Sequence, residues 1–123
     1  MEVFIAPKAR SDIENILIST EENFGPKTMK RYTKLIATAI EAVAANPELI
    51  GSSERPEIAR QGRTYHLFFS RKSAGRVGDR IRRPRHLLLY RVTEAGVVEI
   101  ARVLHDSMDL RAHLPEEYRH GEE

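Results

Sequence analysis

The chain contains no cysteine in 123 residues, which removes disulfides, thiolate zinc ligands and thiol nucleophiles together and leaves packing as the source of stability. It has no long uncharged apolar run and no signal-peptide pattern. With 31% charged against 41% hydrophobic residues, it reads as a soluble, cytoplasmic protein. Glycine-rich phosphate loops are missing too: Gly75 and Gly78 have neither the spacing nor the turn into a helix of a Walker or dinucleotide motif. No cofactor is expected. Ser107 lacks the Gly-x-Ser-x-Gly context of a strained nucleophile, so serine hydrolysis is set aside. Neither repeats nor low-complexity tracts interrupt the chain, and its length fits one domain of two layers.

What is present is unevenly distributed. The net charge is only +2, yet 71–85 holds seven cations (Arg71, Lys72, Arg76, Arg80, Arg82, Arg83, Arg85) against Asp79 alone. That segment carries +6 and leaves the remainder at −4. Cations so concentrated gain affinity for polyphosphates through counterion release. An acidic protein is an equally good partner on charge alone, and the segment has no aromatics for base stacking.

Apolar periodicity predicts two helices. In "PKARSDIENILISTEENFG", Ala9, Ile13, Ile16, Leu17 and Phe24 share one face, and Phe24-Gly25-Pro26 stops the first helix and starts the second. In "PKTMKRYTKLIATAIEAVAANP", apolar residues from Met29 to Val43 recur every three or four positions until Asn46-Pro47 ends the pattern. So short a link forces an antiparallel hairpin. A turn-rich stretch follows, then three strands at 63–70, 85–92 and 97–104, the last two joined by a tight turn at 93–96. With a short strand at Val3 to Ile5, the expected class is α+β. An N-terminal strand and a helical hairpin pack on a mainly antiparallel sheet completed by three C-terminal strands, with a basic insertion at about 71–85, expected to be mobile, and a tail from about 116.

Three readings of the polar residues remain. His105, Asp109 and His113 recur at intervals of four, the spacing of metal ligands on a helix, but the pattern through Leu104 is strand, so a capping and packing turn is preferred and no metal is expected. His66, Arg91, Arg102 and His105 lie in or at the ends of strands, where a base and phosphate-binding cations could attack RNA. Equally, these residues solvate the sheet and pair with Glu99.

"APKARSDIENI", the Phe24-Gly25 break, "NPELIGSSERPE", "LLLYRV" and above all "ARVLHDSMDLRAHLP" resemble the RelE/ParE superfamily of toxins from bacterial type II toxin-antitoxin modules. The last segment resembles the ParE branch, in which the final strand ends Arg-x-Leu-His and an Asp and a His-Leu follow. In that likeness His105, Met108, Asp109, His113 and Leu114 lock the last strand to a C-terminal turn. The resemblance implies a cytoplasmic toxin held inactive in a hetero-oligomer by a ParD-like antitoxin, with Leu17, Phe24, Met29 and Tyr32 as anchors for it. It further implies DNA gyrase as the target; the charge of the basic insertion, and not the resemblance, makes Arg76, Arg80, Arg82 and Arg83 the candidates for target contact. The alternative is a RelE-like, ribosome-dependent messenger RNA endoribonuclease, for which the only late tyrosine is Tyr118. The basic insertion is longer than the tight hairpin usual in the family.

Overall fold

The computed structural model describes residues 1–57 and 60–108. In chain order these form β1 (Val3–Ile5), α1 (Pro7–Phe24), α2 (Pro26–Ala45), β2 (Ser52–Glu54), β3 (Arg63–His66), β4 (His86–Val92) and β5 (Val98–His105). Two short 3₁₀ segments, Leu67–Ser70 and Val77–Asp79, lie between β3 and β4. The strands make one sheet in the order β1-β5-β4-β3-β2, with β1 parallel to β5 and every other pair antiparallel. This is the expected α+β arrangement, with one strand more.

The helical hairpin turns on Gly25. Its N–H donates to the Glu21 carbonyl at 2.8 Å to close α1, and its own carbonyl accepts from Met29 N at 3.1 Å to open α2. At φ 88° and ψ 170° the residue occupies a region that is essentially glycine's alone. Pro26 then starts α2 at the one turn where a missing N–H costs nothing.

α2 is the central helix. It buries Tyr32, Leu35, Ile36, Ala39, Ile40 and Val43 at helical spacing, against Tyr65, Leu67, Leu88, Tyr90, Val98, Ile100 and Val103 from the sheet side. α1 fully buries only Ala9, with Ile13, Ile16 and Leu17 half-buried against the same core. Leu87 and Leu89 alternate with the core residues of β4 and so belong to the opposite face, yet they too are buried. A bulge sets this register: Leu89 faces Arg102 while Tyr90 faces Ile100, leaving Ala101 as the extra residue of β5.

The expected strands need two corrections. The strand expected over 63–70 stops at His66, because the His66 side chain accepts the Phe68 N–H and turns the backbone into a 3₁₀ helix. The turn-rich stretch before it contributes the edge strand β2, paired antiparallel with β3. The basic insertion is placed against the body: Ala74 is buried in the core, Ile81 packs on it, and Asp79 pairs with Arg31 of α2 at 2.9 Å. Asp109, His113, Leu114, Tyr118 and the tail lie outside the described residues.

β1 covers β5 only as far as Ile100, so beyond it β5 would be an open edge. Asp12 of α1 closes that edge. Its carboxylate accepts from Val103 N at 2.9 Å and from the Arg102 guanidinium at 2.8 and 2.9 Å, with both side chains only about one-seventh exposed. Removing one partner of a largely buried, hydrogen-bonded pair strands the other. Asp12→Ala is therefore expected to cost about 3 kcal/mol in urea unfolding, and Arg102→Ala a similar amount. An unchanged midpoint for both would remove the structural role given to the pair.

Candidate functional site

The C-terminal ends of α1 and β5 and the start of β4 meet around a histidine cluster. His86 and His105 are register partners at the ends of β4 and β5, with ring centroids 5.3 Å apart, edge to face. Asp106 follows immediately. Its carboxylate takes Nε and Nη2 of Arg85 at 2.9 to 3.1 Å and Nε2 of His66 at 3.0 Å. From α2, Tyr32 reaches across with its hydroxyl 2.6 Å from His86 Nδ1, while the same oxygen accepts from Arg85 N.

The hydrogen bonds assign the tautomers. His66 Nδ1 accepts from Phe68 N, and His105 Nδ1 accepts from Ser107 N, with the Ser107 hydroxyl 2.7 Å away. His86 Nδ1 and the Tyr32 hydroxyl share a hydrogen bond in which either atom can donate, and the Tyr32 oxygen also accepts from Arg85 N. His66 and His105 therefore use their Nδ1 lone pairs internally and, when neutral, carry the proton on Nε2. Burial holds the His86 pKa down to about 4, helped by the neighbouring His105, and burial raises Tyr32 to about 12. The Arg85 hydrogen bonds hold Asp106 down to about 2.

Beside this cluster lies a groove of about 790 Å³. Ile16, Phe24, Ile81 and Met108 supply apolar walls, and Tyr32, His86, His105, Arg83 and Arg85 the polar lining. Phe24 at 72% and Met108 at 44% stay exposed at its margin. Of the four residues expected to anchor an antitoxin, Phe24 and Tyr32 line the groove. Tyr32 is buried and holds His86, while Leu17 and Met29 are half-buried on the helices away from it.

Of the strand residues expected to act together, the structure unites His66 and His105 around Asp106 and separates the others. Arg91 pairs across the sheet with Glu99 at 3.1 Å, and Arg102 pairs with Asp12. In the basic insertion Arg76, Arg82 and Arg83 are exposed, and Arg80 donates to the Gly75 carbonyl. No group of three or more metal-ligating side chains is gathered among the described residues. The sequence reading missed His86, Arg85 and Asp106. Register counting from the turn at 93–96 could have found the first, since it sets residue 86 near residue 105.

The depressed His86 pKa has a defined sign. An unfolded chain takes up this proton near the ordinary 6.5, the folded chain only near 4, so stability is full above about pH 6.5 and falls as pH drops toward 4. Asp106 adds a second loss from about 3.8 down to about 2. His86→Gln keeps an acceptor for Tyr32 without the titration. Thermal melts of this variant are expected to be flatter between pH 6.5 and 4 than those of the wild-type chain; parallel profiles would show that His86 does not set the acid response.

The family model described as "ParE toxin of type II toxin-antitoxin system, parDE" matches residues 3–110. A protein named Toxin ParE1 from Caulobacter vibrioides is 32% identical over 111 residues, covering 89% of this chain and 94% of the relative. A Toxin ParE1 from Mycobacterium tuberculosis is 29% identical over 110 residues with the same coverage. No helix among the described residues is long and apolar enough to cross a membrane. The chain belongs to the ParE toxin family, the toxin half of a two-component module whose other half is an antitoxin.

Proposed function

We propose that this toxin binds and poisons DNA gyrase and is held inactive in a hetero-oligomer by a ParD-like antitoxin. The observation that carries the choice of a binding poison over a nuclease is the internal pairing of the groups that RNA cleavage needs. Arg85, Arg91 and Arg102 each face a carboxylate, in Asp106, Glu99 and Asp12. His66 and His105 spend their Nδ1 lone pairs on backbone N–H donors, so they present N–H groups where a general base needs a lone pair. Tyr32, held near 12 and bonded to His86, is a poor proton donor to a leaving oxygen.

Antitoxin capture is assigned to the groove. Its apolar walls suit the apolar face of an amphipathic segment, and Phe24 at its margin is the anchor expected to lose most exposed area on binding. Leu17 and Met29 support α1 and α2 behind it. Target contact is assigned to the outward cations of the insertion, Arg76, Arg82 and Arg83, with Arg80 bracing the loop through Gly75.

Purified full-length chain is expected to inhibit gyrase supercoiling and leave ribosome-bound transcripts intact, and Phe24→Ala to weaken antitoxin capture roughly tenfold or more. Cleaved transcripts with normal supercoiling would replace this reading with the endoribonuclease. Loss of neither activity on adding antitoxin would remove the capture groove.

A further inference from the structure

We propose that Phe68, Phe69 and Arg71 form a stacking platform for the bases of single-stranded nucleic acid, whose phosphates are met by Lys72 and Arg76. This goes beyond the choice of target and does not rest on it. The sequence offers no aromatic residue inside the basic insertion. The structure supplies two at its threshold.

The 3₁₀ turn Leu67–Ser70 has two residues inside and two outside. Leu67 is fully buried, and Ser70, 2% exposed, holds its hydroxyl 2.8 Å from that of Tyr65. Residues three apart in such a turn eclipse one another, so anchoring the first and last turns the middle pair outward. Phe68 is left 39% exposed and Phe69 53%. An exposed pair of large apolar rings in a protein with a filled core needs a use.

Both rings are held in place although exposed. Phe68 meets Phe69 edge to face with centroids 5.6 Å apart. The Arg71 guanidinium carbon lies 3.6 Å above the Phe68 ring, and its Nη1 donates to the Phe68 carbonyl at 2.9 Å. Phe69 rests on the backbone of Gly51, where φ is +99° and a Cβ would stand 2.7 Å from the ring. Fixed aromatic rings and a pinned planar guanidinium lose little freedom when a base stacks on them.

Charge selects nucleic acid as the occupant. Lys72 and Arg76 are exposed and follow the platform directly. The one acid of the insertion, Asp79, is already paired with Arg31 at 2.9 Å. A stacking surface that opens onto unanswered cations matches a ligand that carries a base and a phosphate in each unit. A protein ligand would instead draw on Ile50, 96% exposed beside Gly51.

Anisotropy titrations of the full chain with fluorescein-labelled DNA and RNA strands of about 12 nucleotides, and with the matching duplex, test the platform at several salt concentrations. Single strands are expected to bind roughly tenfold more tightly than duplex, and Phe68→Ala and Phe69→Ala each to weaken single-strand binding roughly tenfold without changing the salt slope. Phe68→Trp is expected to retain binding, Arg76→Gln to lower the slope by about 0.7, and Ile50→Ser to change nothing. The DNA and RNA arms tell which strand is preferred. Equal binding of duplex with no effect of either ring, or no binding at all by a chain whose melting curve is normal, would overturn the platform. So would variants that lose antitoxin or gyrase binding and keep oligonucleotide binding intact. Gyrase inhibition measured on the same Phe68→Ala protein separates this result from the target assignment.

Discussion

The carboxylate of Asp12 holds together two parts of the fold that the chain's own backbone does not join. β1 is three residues long and β5 is eight, so a parallel edge strand that short leaves the second half of β5 without a partner. Unpaired edges invite association with other chains. A longer β1 would close the edge but leave no early departure for α1. Asp12 resolves this by standing in for a strand: it accepts the Val103 amide as a backbone carbonyl would, and binds Arg102 as well. The helical hairpin is thereby fixed over one side of the sheet, with α2 central and α1 at the margin. The groove beside Tyr32 and His86 exists because α1 is held there and does not lie flat across the sheet.

Charge follows the same division between inside and outside. Cations on or next to the strands have carboxylate partners within the fold, and Asp106 alone answers both Arg85 and His66. The densest run of exposed cations, Lys72, Arg76, Arg82 and Arg83, lies in the insertion between β3 and β4. A near-neutral protein thus presents a strongly basic surface. Desolvation keeps His86 neutral and Tyr32 protonated, while the hydrogen bonds from Arg85 keep Asp106 ionised. The network joins α2, β4, β5 and the end of β3.

The elements carried by repetition were the ones that could be read directly. Val43 and Leu35 lie on α2's buried face because a 3.6-residue period leaves only one face for them, and Gly25-Pro26 stops and restarts a helix through local backbone geometry. β4 and β5 were legible from β-branched and leucine runs around a tight turn. β2 was not, because Ser52–Glu54 has no apolar alternation and becomes a strand only when β3 offers its edge. The strand at Leu67 to Ser70 was misread for a related reason: the apolar run looks extended, but the His66 side chain captures the Phe68 amide and bends it. His66 and His105 were recognised as chemistry-bearing residues. Their meeting through Asp106 was not, since it depends on the ends of β3 and β5, and His66 and Asp106 are 40 residues apart in the chain.

By itself the sequence determined the class of fold, the hairpin, the basic segment and the likeness to a toxin family, all of which rest on local periodicity, composition or contiguous motifs. Only the tertiary structure decided which cations are answered and which face outward, and which aromatic side chains are packed and which are presented. It also placed the groove between helix and sheet. These properties depend on distances between residues remote in the chain, and on which groups lose their water when those residues meet.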